Sequence, residues 1–254
     1  GSGLDDPKLL ENFQEIEVIT DFGTPSDNLI LGKLGDIEVV ILPRHGKGHK
    51  ITPSKVNYKA NIKALKDQDV DYILATTACG SLKEEIGRGE FVILDQFIDF
   101  TRHRDITFHD NFDEGIKHMP MATPFNEKLR NLLIQTSKEL NYKTHEKGTV
   151  ITIEGPRFST RGESKFYRSI DGDIIGMTIV PECQLAREAQ ICYASISTVT
   201  DYDVWSVKPV TAKDVMETLT KNVQLMKKIF PVIIDKIPKG RKCNCAKALD
   251  EAQF

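Results

Sequence analysis

The sequence predicts an α/β fold in a single domain, on three observations. Runs rich in β-branched residues alternate with segments of helical patterning through most of the 254 residues. No Ser-rich or Pro-rich linker, internal repeat or low-complexity stretch interrupts them, so residues 1–254 read as one domain. With 40% hydrophobic residues and a net charge of −3, a chain of this length can bury a substantial core.

Taken in order, "NLILGKLGDIEVVIL" (Asn28–Leu42) gives two strands around a Gly35-Asp36 turn, a strong hairpin signal that stops at Pro43. Ser54 is the expected N-cap of a helix running to Gln68, followed by a strand, Tyr72–Gly80. The alternation then gives a strand at Phe91–Ile98, a helix at Asn126–Leu140, a strand at Gly148–Ile153 and a short helix at Gly162–Ser169. A strand at Asp173–Met177, a helix at Pro181–Ala189, a strand at Cys192–Thr200 and a long helix at Ala212–Ile229 complete it.

Charge and cysteine usage exclude several classes. Thirty-four basic residues nearly balance 37 acidic ones, and no block of five like charges occurs, so nothing favours a nucleic-acid or membrane-surface partner. The longest apolar runs, such as Phe91–Leu94, are far too short to span a bilayer. The opening "GSGLDDPKLL" lacks a signal-peptide pattern and an initiator Met, so a preceding piece is expected to be missing from the sequence. Five cysteines are too few and too odd for a disulfide scaffold, and a reducing compartment, cytoplasm or nucleus, is expected. Cys79 and Cys192 read as small buried residues, whereas "KCNCAK" presents a C-x-C that is either a redox pair or half of a metal site.

In α/β sheets ligands collect beyond the carboxyl ends of the strands. Those positions hold "PRHG" (Pro43–Gly46), "TTACGS" (Thr76–Ser81), "EGPRFST" (Glu154–Thr160), "GMTIVPE" (Gly176–Glu182) and "TDYD" (Thr200–Asp203). Arg44 offers a fork that can hold an oxyanion bidentately and His45 a further donor; a surface salt bridge with a satisfied histidine is the plainer alternative. Thr178, between a strand and a helix with Pro181 in its first turn, is either an anion ligand at the helix start or an N-cap. Thr77 and Ala78 add a hydroxyl and approachable backbone. Asp201 and Asp203 sit at i and i+2, where an extended strand points both carboxyls to one face. They mark either a turn or a site that grips paired groups such as a purine edge.

The strings "TTACGSLKEEI", "PSKVNYKANIKALK", "DQFID", "HMPMATPF", "TIEGPRFSTRGES", "MTIVPE" and "ICYASISTVTDYD" run through nearly the whole chain. Together they resemble the S-methyl-5′-thioadenosine phosphorylases of the trimeric purine nucleoside phosphorylase superfamily. The resemblance implies one domain around a central mixed, partly barrel-like β-sheet, a homotrimer, and neither metal nor organic cofactor, inorganic phosphate being a co-substrate. It implies phosphate binding by Ser2, Arg44, His45, Thr77, Ala78 and Thr178. For the nucleoside it implies Phe158 with Ser159 on purine and ribose, Met177 at the ribose, His118 lent by a neighbouring subunit to the 5′ end, and Val215 and Met216 around the methylthio group; periodicity alone reads Met177, Val215 and Met216 as core. Ser2 stands where relatives often have Thr. An earlier strand before Gly1, a longer loop than Trp205–Thr211 and a continuation past Phe254 are expected from relatives.

The same resemblance gives the two acids roles. Asp201 would donate a proton to purine N7 as the glycosidic bond breaks, which requires a pocket that favours the protonated carboxyl. Asp203 would accept from the 6-amino group, and a 6-oxopurine would set a second acceptor against it. The expected reaction is phosphorolysis of methylthioadenosine to adenine and 5-methylthioribose 1-phosphate. A purine nucleoside phosphorylase of broader specificity, a hydrolytic nucleosidase and a nucleoside-binding protein without activity are the rivals.

Overall fold

A computed structural model describes residues 4, 6–113, 115–206, 212–241, 243–250 and 252, with the side chains of 212 and 214 left out. The predicted hairpin is β2 (Leu29–Leu34) and β3 (Ile37–Ile41), turning through Gly35 at φ 58°. A strand that hydrophobic patterning missed, β1 (Glu11–Ile16), pairs with β2, closing a three-stranded antiparallel sheet. Five of its six residues are exposed, so it has no buried face to leave an alternating apolar signature.

A short 3₁₀ turn occupies Pro53–Lys55, and α1 spans Tyr58–Asp67. Asn57, not Ser54, caps it: the Asn57 Oδ1 accepts from Ala60 N at 3.1 Å. The predicted strand Phe91–Ile98 is two strands, β5 (Phe91–Ile93) and β6 (Gln96–Phe100), broken at Leu94-Asp95. With β4 (Tyr72–Ser81), β7 (Thr144–His145), β8 (Thr149–Ile153), β9 (Ile174–Gly176) and β10 (Cys192–Asp201) they form a seven-stranded mixed sheet, ordered β6-β8-β9-β4-β10-β5-β7. β5 and β6 stand five strand spacings apart in that order, about 24 Å if the sheet were flat. Only two residues separate them, which reach no more than about 11 Å. The sheet therefore curls back on itself in the partly barrel-like form expected. Gly148 permits the closure: its N–H reaches Asp95 Oδ1 at 2.9 Å, and a Cβ there would stand 2.3 Å from Val92 Cγ1.

The helices cover both faces. They are α2 (Glu127–Glu139), α3 (Arg161–Ser169), α4 (Ile179–Glu188) and α5 (Ala212–Asp235), the last running six residues past its expected end and through Pro231. β10 shows how the sheet is held: all ten residues are buried, with Cys192, Ala194 and Ile196 packing toward α2 and α5, and Tyr193 and Val199 toward α1 and α4. At roughly 1.5–3 kcal/mol for each large apolar side chain buried, this two-sided strand is a major stabilising element. Among the described residues no helix is long and apolar enough to cross a membrane.

Candidate active site

Two clusters assemble, one at Thr77 within β4 and one at the end of β10, and the pairing of these strands sets their spacing. β10 runs parallel to β4 in strict register from Cys192↔Tyr72 to Val199↔Cys79, then skips a residue so that Asp201 meets Gly80. This bulge turns the end of β10 and leaves Thr200 as the extra residue.

The first cluster is cationic and hydroxylic. Thr77 on β4 and Thr178, at the junction of β9 and α4, bring their hydroxyls to 3.5 Å. Thr178 holds the N-cap position but makes no side-chain cap bond, and Val180 is non-helical at φ −105°, ψ 131°. The hydroxyl thus stays turned toward Thr77 rather than closing on its own helix. Arg44, just past β3, is buried beside them and donates from Nη1 to Thr76 O at 3.2 Å. The bidentate grip expected of it on an oxyanion is already taken: Nε and Nη2 clasp Glu182 of α4 at 2.5 and 2.7 Å, and Tyr193 OH donates to the same carboxylate at 2.8 Å. A guanidinium has five N–H groups, so two on the Nη atoms stay available to a ligand. Burial works against both charges, but each partner keeps the other ionised, holding Arg44 protonated and Glu182 below the ordinary glutamate value.

His45 differs from expectation in its protonation. Burial pushes its pKa down to about 4, opposed by its bond to the Ile51 carbonyl and reinforced by the charge of Arg44 and by His49, on which it stacks at 4.1 Å. Its Nδ1 lies 2.8 Å from Ile51 O, so in the neutral ring Nδ1 carries the hydrogen and Nε2 is an acceptor. Near neutral pH it therefore accepts from a protonated oxyanion, or donates only after taking up a proton. Ala78 is paired with Thr198 across the sheet.

The second cluster is acidic. Asp201 and Asp203 do not share one extended face: Asp203 sits in a turn with φ 49°, a left-handed conformation uncommon outside glycine. The turn reading and the twin-acid reading hold together, because the turn folds the Asp203 N–H back onto Asp201 Oδ1 at 2.8 Å. Asp201 Oδ2 lies 2.8 Å from Thr200 Oγ1, which is also 3.1 Å from Cys79 O. One hydroxyl hydrogen cannot serve both acceptors, so an ionised Asp201 is incompletely compensated. Burial raises its pKa, the bonds from Thr200 and Asp203 oppose that, and the charge of Asp203 adds to it. Burial also raises the pKa of Asp203, opposed by the hydroxyls of Ser164 and Ser159 and by the Val204 N–H. Neither hydroxyl closes a well-formed bond to it, and Asp203 Oδ2, Ser159 Oγ and Ser164 Oγ are all buried with no hydrogen-bond partner among the described residues. An acceptor and two hydroxyls without partners, side by side under the surface, are a place for a ligand with polar hydrogens.

Gly80 fits the acids against β4. A Cβ there would stand 2.8 Å from Asp201 Oδ1 and 3.3 Å from Asp203 N. Measured along β4, Gly80 is three residues from Thr77, about 10 Å. That separates the acidic end from the anion end by roughly the depth of a nucleoside.

Between these ends lie the loops carrying Met177 and Phe158, held by Arg104, a residue that sequence reasoning missed. Its side chain is 2% exposed and its guanidinium donates to Met177 O and Val180 O at 2.7 and 2.6 Å and to Glu154 O at 2.7 Å, while Nε pairs with Glu154 Oε1 at 3.1 Å. Met177 Sδ packs where Gly155, at φ 67°, has no side chain. Phe158 is 46% exposed beside buried Ser159. His118 lies on an exposed segment, edge-on to Phe112 at 5.9 Å, with its backbone N–H on Ala252 O at 2.9 Å. Val215 is half-buried and Met216 is 58% exposed near the start of α5. Ser2 and most of the loop from Trp205 to Thr211 lie outside the described residues.

Comparison with known proteins gives the family and the fold of the chain. A family model described as the phosphorylase superfamily matches residues 1–234. S-methyl-5′-thioadenosine phosphorylase of Nitrosopumilus maritimus is 54% identical over 254 residues, covering 100% of this chain and 96% of the relative. The protein of the same name from Saccharolobus solfataricus is 49% identical, covering 99% and 94%. Among solved structures, methylthioadenosine phosphorylase from Schistosoma mansoni in complex with adenine superposes with a TM-score of 0.93 at 41% identity, covering 100% and 96%.

Proposed function

The chain belongs to the phosphorylase superfamily, and on that premise we infer that it cleaves S-methyl-5′-thioadenosine with inorganic phosphate, releasing adenine and 5-methylthioribose 1-phosphate. It is a pentosyltransferase of purine and methionine salvage, in line with relatives near 50% identity that carry this name. The observation that carries the reading is an anion-binding cluster at Thr77 within β4 set beside an acidic cluster at the end of the adjacent parallel strand β10.

The chemistry follows from the two ends. The transition state of glycosidic cleavage is oxocarbenium-like, so a bound anion on one side of C1′ and an acid at the departing nitrogen both stabilise it. Thr77, Thr178, Ala78 and the free Nη hydrogens of Arg44 hold phosphate. His45 Nε2 accepts the hydrogen of a monoprotonated phosphate, with Ser2 as a further ligand by family likeness. Asp201, whose pKa is raised by burial, hands its proton to N7. Asp203, whose Oδ2 lacks a donor, accepts from the 6-amino group, and Ser159 and Ser164 are the neighbouring hydroxyls. Phe158 and Met177 flank base and ribose, and Val215 and Met216 line the methylthio end. His118 reaches the 5′ end of a neighbouring copy's site, which makes the working unit a homotrimer. No organic cofactor takes part in the reaction, and the enzyme works in a reducing compartment, cytoplasm or nucleus.

The test is adenine release from methylthioadenosine with and without phosphate, beside adenosine and inosine as competitors. Release only with phosphate, and preference for 6-aminopurines, is the expected result. Equal release without phosphate would make the protein a hydrolase, and binding without release would make it a silent nucleoside-binding protein.

A further inference from the structure

The C-x-C pair of the C-terminal segment acquires in three dimensions the partner that its sequence lacks. We propose that Cys192, Cys243 and Cys245 form a three-coordinate thiolate site for a soft monovalent cation of the copper(I) class. The three Sγ atoms lie within 4.8 Å of one another, with Cys192 and Cys243 at 3.1 Å. A thiolate-bound metal keeps its sulfurs at about 2.3 Å, so a trigonal set stands roughly 4 Å apart, within small side-chain adjustments of what is seen.

The supports are independent of the sulfurs. Cys192 is the first residue of β10, fully buried, while Cys243 and Cys245 bracket the start of the 3₁₀ turn Asn244–Lys247. Asn126, the N-cap of α2, donates from Nδ2 to Cys245 Sγ at 3.3 Å, and Arg187 near the end of α4 places Nη1 3.9 Å from it. Such donors orient a ligating sulfur and offset the surplus negative charge of three thiolates around a monocation. The oxygen of Asn126 is committed to Leu129 N at 3.0 Å, so the amide presents its nitrogen and cannot act as a fourth ligand. Among the described residues no further His, Cys, Asp or Glu joins the group. A closed zinc site takes four ligands, whereas three soft sulfurs with little access to water match copper(I).

The site lies at the start of β10, nine residues or about 30 Å from Asp201, and is separate from the chemistry. It would tie the segment 243–252 to β10, α2 and α4, and through Ala252 O to the backbone of His118.

The experiment uses the full chain, reduced with a phosphine under anaerobic conditions, and titrates copper(I) against a chromogenic copper(I) chelator. One equivalent per chain is expected, with binding at least 100-fold weaker in Cys192→Ser and in the more exposed Cys243→Ser. Both variants are expected to keep phosphate-dependent adenine release, which reports that they fold. X-ray absorption should show three sulfur neighbours and no oxygen or nitrogen. No stoichiometric uptake, unchanged uptake in Cys192→Ser, a light-atom ligand, or zinc outcompeting copper(I) would each overturn the assignment. So would a protein isolated two hydrogens light whose thiols, once reduced, bind no metal: that cluster is a disulfide site.

Discussion

Gly80→Ala separates the geometric account of the acids from a looser one in which any carboxyl at this strand end suffices. Gly80 is outside the left-handed region, so alanine meets no backbone penalty and only the new Cβ matters. That Cβ would stand 2.8 Å from Asp201 Oδ1, 3.1 Å from Ile175 Cγ2 and 3.3 Å from Asp203 N. Ordinary contact needs roughly 0.5 Å more, and Asp201 cannot swing aside cheaply, since Asp203 N and Thr200 Oγ1 hold its two oxygens at 2.8 Å each. A displacement of that order at a group transferring a proton costs about 10- to 100-fold in rate, or about 1.4–2.7 kcal/mol. Overpacking should cost a further ~1–3 kcal/mol of stability. The assay is adenine release at saturating phosphate, with the phosphate KM and the melting temperature measured in parallel. A fall in kcat with a phosphate KM within about twofold of the parent is expected, because Thr77 lies three residues away. Full activity would refute the claim that Asp201 works from this position.

Four further outcomes are expected. Asp201→Ala should lower kcat by about 10²-fold or more; since a protonated Asp201 is the active form, activity in the parent should fall as pH rises through its raised pKa, and a variant retaining both rate and alkaline limb would remove Asp201 from the mechanism. Asp203→Asn should erode the preference for methylthioadenosine over inosine, measured as a ratio of kcat/KM, and an unchanged ratio would count against recognition of the 6-amino group. Arg104→Lys should raise the nucleoside KM about tenfold or more and the phosphate KM with it, since its bonds to Met177 O, Val180 O and Glu154 O hold the loops bearing Met177 and Phe158 and bracket Thr178; unchanged KM values would refute this positioning role. For His45, folding stability is expected to be greatest above pH 6.5 and to fall by roughly 3 kcal/mol as pH drops toward 4, because the unfolded imidazole takes up a proton that the buried one refuses. Denaturant titrations of the parent and His45→Gln should then differ in slope only across that window.

Much of this fold can be read from patterning because its central strands, β4, β5, β8, β9 and β10, are buried along most or all of their length. The β10 run and α2, found within a residue of its expected bounds and capped by Asn126, carry their structure in local composition. β1 is exposed on nearly every residue, and β7 is two residues long, so neither has a periodicity to detect. The break between β5 and β6 at Leu94-Asp95 is imposed by closure of the sheet, a long-range constraint with no local signature. At the site, strand ends led directly to Arg44, Thr77, Thr178 and the two acids. What they missed are residues whose role is to hold others. Glu182 stood in the "GMTIVPE" string but reads as an ordinary helix-start acid, and only tertiary packing brings it 138 residues back to Arg44. Arg104 sits in a charged loop, and nothing there distinguishes it from exposed Arg102.

The sharpest measurement follows the oxygen atoms. Run in ¹⁸O-labelled phosphate and ordinary water, the reaction should give adenine and a pentose 1-phosphate retaining every labelled oxygen, because a phosphate oxygen attacks C1′ as the purine leaves. Free methylthioribose carrying an oxygen from water, formed at the same rate whether or not phosphate is present, would contradict it.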